Sequence, residues 1–325
     1  MVTIGDLWRL NRGIDGRFRS SLVTKRTHAG FQILCYHRVN DESDPFFSGV
    51  PVAIFAAQME ILSRYFNVLS LEELLERATK KDVPPRAIAI TFDDGYRDNY
   101  VHAFPVLRRF NLPAIIFLTT GPMDDGKPLW HDRAFEIFRR TTKADFSFRG
   151  ESYSLRGIVE KRAALDAMLR YLRICSPEER EETLREAWTD LMGNLEANTH
   201  EMLSWPEARE MKAGGITFGA HTVTHPILSG LPIQNAIQEI TDSKQRIQEQ
   251  LHDTIRLFAY PNGRENDFNE HVKKAVKDAG FLGAVTTLLG VNDRDSDLFA
   301  LRRTGMWGPD PWISACRLGW QRLLS

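Results

Sequence analysis

The stretch RAIAITFDDGYRDNY, residues 86–100, runs an apolar segment directly into two adjacent carboxylates, Asp93 and Asp94, and then into Gly95. Consecutive side chains in a strand point to opposite faces, so in mid-strand only one of the two aspartates serves a common site. At a strand end the constraint relaxes. Gly95 adopts backbone angles that other residues avoid, which lets the chain turn away while both carboxylates reach one cavity. The carboxyl ends of parallel strands are where α/β barrels keep their chemistry. Two anions at close range repel, and both stay ionised only beside a cation or strong donors.

The stretch FGAHTVTHPILSG, residues 218–230, offers a way to hold such a cation. His221 and His225 stand four apart at the end of another strand-like run, a spacing that brings two imidazoles to one side of a helical turn or tight loop. Two neutral imidazoles with one carboxylate suit zinc-like ions and leave a coordination position open for water. The reading is a His-His-Asp site for a divalent metal. Zn2+ is the default, and Co2+, Ni2+ or Fe2+ also suit these ligands.

Further outward, short apolar runs at 31–37, 86–92, 113–120, 215–221, 255–261 and 281–288 read as buried parallel strands. Helical patterns separate them. Ser70-Leu71-Glu72-Glu73 has the form of a capping box, and Ile54, Phe55, Met59, Leu62 and Phe66 fall roughly on one helical face. Strand then helix, repeated, predicts a parallel sheet or barrel. Residues from about 130 to 210 break the rhythm. They are charged and helix-rich, with a capping signal at Ser176-Pro177-Glu178-Glu179, and read as a helical insertion capping one end of the scaffold.

A chain of 325 residues with 42% hydrophobic and 26% charged residues is long enough to bury a core without disulfides. Its net charge of −1 gives no argument for nucleic acid as a partner. Cys35, Cys175 and Cys316 show no CxxC spacing, which argues against a thiolate metal cluster, and Cys35 reads as inert core. Arginines interrupt every apolar cluster of the arm at 1–30, leaving no signal-peptide core and no transmembrane segment. The expectation is a cytoplasmic protein, with peripheral contact at the inner membrane face open to that basic arm.

TFDDGYRDN (91–99), HTVTHP (221–226) and FAYPNG (258–263), in this order, resemble three signature motifs of the polysaccharide deacetylases, the NodB-homology family also called carbohydrate esterase family four. The similarity covers approximately 31–125 and 200–305 and is greatest to the branch that opens on a YHRV-like strand, here Tyr36 to Val39. The resemblance implies an α/β fold: a distorted (β/α) barrel of about seven parallel strands over 31–325, interrupted by the insertion. It implies Asp93 as general base and Asp94 as metal ligand beside His221 and His225. It also implies an oxyanion donor at the backbone N–H of Asn262, with Tyr260 in the same motif. The expected reaction is hydrolysis of N-acetyl groups from hexosamine units of a bacterial surface polysaccharide or its precursor. The alternatives are another carbon–nitrogen hydrolysis on the same site, such as deformylation or opening of a cyclic amide, and a glycan-binding homologue without turnover.

The chain departs from the family pattern twice. Ala259 stands where many relatives have an arginine two residues before the motif proline, so Asp93 needs another tether; Arg302 or Arg303, after the last strand, is the candidate. No histidine follows His271, so the family's late proton donor is missing. His37 ends the first strand and either fills that gap, contacting the attacking water or the leaving amine, or is a packed polar residue. Trp130 and His131 either line a sugar-binding groove or pack in the cap, and Trp205, Tyr260 and Trp307 pose the same choice.

Overall fold

A computed structural model describes residues 30–193 and 202–306. The arm, apart from Gly30, and Trp307 lie outside the described residues. In chain order the strands are β1 (Gln32–Tyr36), β2 (Asn67–Val68), β3 (Ala87–Phe92), β4 (Ile115–Leu118), β5 (Asp145–Phe148), β6 (Glu151–Ser154), β7 (Thr217–Ala220), β8 (Leu257–Ala259), β9 (Gly283–Leu289) and β10 (Leu301–Gly305). The helices are α1 (Val52–Tyr65), α2 (Leu71–Thr79), α3 (Phe104–Phe110), α4 (Thr120–Asp125), α5 (Trp130–Arg140), α6 (Ile158–Leu172), α7 (Pro177–Met192), α8 (Trp205–Ala213), α9 (Ile233–Leu251) and α10 (Glu270–Asp278).

Seven parallel strands close a ring in the order β1-β10-β9-β8-β7-β4-β3, with β3 returning to β1. This is the distorted (β/α) barrel. One source of the distortion is visible in the pairing of β3. Its start pairs with β2 through Asn67↔Ala87 and Val68↔Ile88, and its end pairs with β4 through Thr91↔Ile115 and Phe92↔Ile116. Because β1 occupies the other edge along Ile88–Phe92, β2 and β4 divide a single edge between them.

Five of the six apolar runs each contain one of the barrel strands, and the sixth, 281–288, covers all but the last residue of β9. The seventh strand lies further along the chain than expected, since Arg302 and Arg303 sit within β10 rather than after the last strand. Two consecutive arginines read as loop. In fact the period-two alternation puts Arg302 outside and Arg303 inside, and the inward guanidinium is buried on a partner that local sequence does not reveal.

That alternation organises the whole ring. Ile33, Ala87, Ala89, Ile115, Phe117, Leu257, Ala259, Val285 and Leu301 form one buried cluster with Leu71, Leu74, Leu75 and Ala78 of α2. The strand members are the inward set, and α2 plugs the end of the barrel at which the strands begin. Leu34, Ile88, Ile90, Ile116, Phe218, Phe258 and Ala284 belong instead to the cluster that holds α1, α3, α8, α9 and α10 against the outside. Continuing the same alternation in steps of two brings His37, Asp93, His221, Thr287 and Arg303 to the opposite, carboxyl-terminal mouth. With α2 filling the far end, that mouth is where the barrel has room for a site.

Local signals explain the helix starts. Ser70 caps α2 by accepting from the Glu73 amide at 3.2 Å, but Glu73 accepts from Arg77 Nε at 2.9 Å instead of reaching back, so half of the expected capping box forms. Ser176 and Ser204 make complete boxes at α7 and α8. Between α5 and α7 the chain makes its own buried cluster, including Phe138, Phe146, Met168, Leu172 and Leu184. It also contains an antiparallel hairpin, β5–β6, in a region read as a helical insertion. Only Phe146 of β5 is buried, and Arg149-Gly150 turn the chain at φ of 51° and 84°, so the apolar signal is too thin to read in isolation. No helix among the described residues is long and apolar enough to cross a membrane.

Gly219 is the narrowest point of the inward face. A Cβ there would lie 2.4 Å from the Phe117 ring and 2.9 Å from the Leu257 carbonyl oxygen. Gly219→Ala is expected to cost about 1–3 kcal/mol through overpacking, read as a lower urea midpoint with unchanged slope.

Candidate metal centre and active-site cavity

Asp93 and Asp94 leave β3 together and are each 2% exposed. Asp93 continues the inward alternation. By the same period Asp94 would point outward, but its φ is 73° and that of Gly95 is 85°, and these two left-handed residues swing its carboxylate back over the mouth. The Thr119 amide donates to the Asp94 carbonyl at 3.3 Å and the Leu203 amide to that of Gly95 at 2.8 Å, so the turn is fixed on both sides.

Arg303 holds Asp93 in a bidentate pair. Nη1 donates to Oδ1 at 2.7 Å and Nη2 to Oδ2 at 2.6 Å, while Nη1 also reaches Thr91 Oγ1 at 3.0 Å and Nε donates to the Thr286 carbonyl at 2.7 Å. Burial alone would raise the Asp93 carboxyl, but the guanidinium's charge and hydrogen bonds bring it below its ordinary value. Burial pushes the Cys35 thiol up; it lies 3.8 Å from Asp93 Oδ2 as a neutral, weak donor. His37 Nε2 is 3.9 Å from the same oxygen.

His221 ends β7, and its Nδ1 donates to the Ala259 carbonyl at 2.8 Å, which leaves the Nε2 lone pair facing Asp94 Oδ1 at 3.4 Å. His225 Nε2 stands 3.3 Å from the same oxygen. The HTVTH segment is a tight loop, with Thr222 and His225 at φ of 68° and 57°. It wraps a carboxylate: Glu239 of α9 accepts from the Val223 and Thr224 amides at 2.8 and 2.9 Å and from Thr224 Oγ1 at 2.7 Å.

Asp94, His221 and His225 therefore bring three ligand atoms within 4.8 Å of one another, all buried. Asp94 Oδ1 accepts no hydrogen bond among the described residues. Burial would raise Asp94, yet the surrounding imidazoles hold it far below the usual carboxylate range. Burial lowers His221, but Asp94 and Asp93 more than offset it, whereas burial pushes His225 well down. An ionised oxygen with unmet acceptor capacity, between two imidazole nitrogens, fits a divalent cation.

These groups line a cavity of about 290 Å3 with Phe47, Trp130, His131, Phe135, Leu169, Arg173, Asn262, Arg264 and Thr287. Trp130 is 6% exposed, and its Nε1 donates to the His225 carbonyl at 2.9 Å, so it both lines the cavity and braces the histidine loop. His131 lies against His225 with ring centroids 5.0 Å apart, its Nε2 3.1 Å from Tyr96 Oη, and burial pushes it down to about 4. Tyr96 Oη donates to Asp132 at 2.9 Å, tying the DDGY turn to α5. Asn262, at φ 55°, turns its Nδ2 into buried space with no acceptor among the described residues.

Two of the expected site residues do not line the cavity. Tyr260 is fully buried, stacks on Phe268 at 4.4 Å and donates to the Phe299 carbonyl at 2.9 Å, so it packs the wall behind its motif. Arg303 is 1% exposed with its donors engaged beneath Asp93, which makes it a tether and leaves nothing to face substrate. Trp205 packs on the outside of the barrel, its Nε1 on Asp124 at 2.8 Å. Sequence reasoning missed Glu239, which bears no motif, and Arg173 and Arg264, although Arg264 directly follows the YPNG turn. It also left the end of TFDDGYRDN unexplained. Asp98 accepts from Arg38 Nε at 2.9 Å and Asn40 Nδ2 at 2.8 Å, and Asn99 Nδ2 donates to the His37 carbonyl at 2.8 Å, so the motif's tail fixes the loop that carries His37.

The family model that matches the chain defines the class, a hydrolase that acts on carbon–nitrogen bonds of amides. Within that class the chain belongs to the polysaccharide deacetylase family, whose profile matches residues 80–284. Members are generally metal-dependent, in keeping with the Asp/His/His group. YxkH of Bacillus subtilis, which carries the name of a polysaccharide deacetylase, is 25% identical over 286 residues, covering 87% of this chain and 74% of that protein. The poly-beta-1,6-N-acetyl-D-glucosamine N-deacetylase of Escherichia coli K12 is 32% identical over 102 residues, which are 30% of this chain and 15% of that enzyme. Among solved structures, the Streptococcus pyogenes deacetylase PplD in complex with acetate aligns at a TM-score of 0.62 and 20% identity, covering 90% of this chain and 99% of that one.

Arg303→Met strands a buried carboxylate and is expected to cost about 3–5 kcal/mol at pH 7 by chemical denaturation. The depressed Asp93 pKa contributes stability that is present above the unfolded value and lost as pH falls through the folded one. The gap between wild type and variant therefore narrows as pH drops through the acid range; a gap independent of pH contradicts the assignment.

Proposed function

We propose that the protein removes N-acetyl groups from hexosamine units of a bacterial surface polysaccharide or its precursor, using a divalent ion held by Asp94, His221 and His225. One observation carries the reading: an ionised Asp94 oxygen with unmet acceptor capacity between two imidazoles, beside a second carboxylate that Arg303 orients. The name of the E. coli relative favours N-acetylglucosamine as the sugar that loses its acetyl group. A cavity near the lower end of the ~300–1,000 Å3 typical of ligand sites suits one sugar ring better than several. The barrel from residue 31 onward acts as one unit, with the segment at about 130–210 supplying the Trp130, His131, Phe135 and Arg173 side of the cavity.

An ion in this site, Zn2+ by its ligand set, would polarise the acetamide carbonyl and lower the pKa of water toward neutrality. The chain's residues do the rest. Asp93 is ionised, and its Oδ2 takes the proton of the attacking water as the carbon–oxygen bond forms. Arg303 keeps that carboxylate in one orientation throughout. His37, 3.9 Å from Oδ2, passes a proton to the departing amine nitrogen as the carbon–nitrogen bond breaks, releasing acetate and a free amine. The Asn262 backbone N–H, with its side-chain Nδ2, donates to the oxygen on which charge develops. Phe47 and Phe135, stacked at 5.4 Å, offer an apolar face to the sugar.

Acetate release from N-acetylglucosamine oligomers tests this, with chelated and metal-restored protein compared. Activity is expected to disappear on chelation and return with metal; release of formate from formylated sugars alone, or turnover indifferent to chelation, overturns it. Asp93→Asn and His37→Ala are expected to keep bound metal, measured by elemental analysis, while lowering kcat roughly 100- to 10,000-fold as acid–base groups do. Wild-type turnover in His37→Ala removes that residue from the mechanism.

A further inference from the structure

The cavity lining contains a charge arrangement that amide hydrolysis does not use. Of its fourteen residues, Asp93 is neutralised by Arg303, and Asp94 faces the two imidazoles. The permanent cations of the lining are Arg173 and Arg264. Arg173 follows the last turn of α6, four residues beyond Leu169, which also lines the cavity. Arg264 follows the YPNG turn, two residues after Asn262.

Among the described residues both guanidiniums keep donors free. The Arg173 guanidinium makes, among the described residues, a single long contact, Nη2 to Asp267 Oδ2 at 3.4 Å, and that same oxygen already accepts the Arg264 backbone amide at 3.0 Å. No carboxylate among the described residues pairs with the exposed Arg264 guanidinium. Two arginines thus share one carboxylate, leaving an excess positive charge. They are close enough to repel: burial and the Arg264 charge together lower Arg173, with Asp267 only partly opposing them. Like charges held together at a cavity wall are relieved by an anion between them, and guanidinium forks match carboxylate and phosphate oxygens in geometry. A neutral homopolymer of N-acetylhexosamine has no use for such a pair.

We propose that Arg173 and Arg264 form an anion subsite, so that the substrate is an acidic N-acetylhexosamine glycan whose oxyanion substituent docks there while its acetamide faces Asp93 and Asp94. This rests on the deacetylase reading above. The oxyanion is either the carboxylate of a uronic acid neighbouring the acetylated sugar or the phosphate of an activated precursor. Arg264 lies next to the Asn262 turn and Arg173 next to the aromatic lining, so the subsite selects among glycans by charge while leaving the reacting groups unchanged.

Three probes separate the possibilities: neutral chitotetraose, an N-acetylglucosamine–glucuronic acid tetrasaccharide, and UDP-N-acetylglucosamine. Affinity for each is measured by calorimetry on wild type, Arg264→Gln, Arg173→Gln and the two Arg→Lys variants, with acetate release measured in parallel. At least one acidic probe is expected to bind more tightly than chitotetraose, and each Arg→Gln change to weaken that probe by roughly 10- to 100-fold, the loss typical of a charge-assisted contact. Chitotetraose is expected to bind all proteins alike, and lysine to restore part of the lost affinity. The tetrasaccharide responding alone identifies a carboxylate; UDP-N-acetylglucosamine responding alone identifies a phosphate. Acidic probes that bind no better than chitotetraose, or variants that weaken all three probes equally, overturn the subsite. Arg264→Gln, on an exposed loop position, remains informative if Arg173→Gln lowers the melting temperature. Acetate released from chitotetraose by all variants alike, without acidic preference, sinks the subsite and leaves the deacetylase reading standing. Acidic binding without acetate from any probe does the reverse.

Discussion

A carboxylate and a guanidinium, 210 positions apart in sequence and both out of contact with solvent, hold the mouth of this barrel together. Stripping two ions of water is costly, and the cost is offset only when the pairing geometry is good and the leftover donors find acceptors. Both conditions are met here. Asp93 receives two parallel hydrogen bonds, and Arg303 spends the rest of its fork on Thr91 and the Thr286 carbonyl. With Asp93 committed to that partner, its neighbour Asp94 is free to face the other way, toward the histidines. The two adjacent carboxylates thereby acquire different surroundings.

Around this pair the backbone is held in conformations that unconstrained residues avoid. Asp94, Thr222, His225 and Asn262 all have positive φ, at 73°, 68°, 57° and 55°. Left-handed backbone at non-glycine residues is unfavourable and persists where the surroundings over-determine it. The surroundings are identifiable: Thr119 and Leu203 on the DDG turn, Glu239 beneath the histidine loop, and Thr287 Oγ1 on the Asn262 carbonyl. These props hold backbone groups rather than the carboxylate and imidazole side chains. They convert three loops at separate strand ends into one rigid set of donors and acceptors.

The legible part of this architecture was what recurs locally. Apolar runs of seven or eight residues marked six of seven barrel strands, and DDG and HxxxH marked the ends that carry the Asp/His/His group. What could not be read were partners chosen by three-dimensional proximity. Glu239 sits in the middle of a long amphipathic helix and looks like any solvated glutamate until the HTVTH loop is folded onto it. Arg303 was reachable by elimination, because Asp93 needed a counter-charge and the usual position holds Ala259. Its place inside a strand was not, because burial of an arginine depends on the far side of the barrel. Tyr260 misled for the opposite reason: it belongs to a motif whose neighbouring Asn262 lines the cavity, while its own side chain alternates to the outer wall.

The ring order has a temporal meaning as well. β1 is flanked by β3 and β10, so the first barrel strand to leave the ribosome waits for the last before both its edges are occupied. A growing polypeptide that has emerged only through β9 already carries both aspartates and both histidines. The guanidinium that counterbalances Asp93 arrives with the final staple of the cylinder, so closure of the wall and electrical neutralisation of that carboxylate coincide.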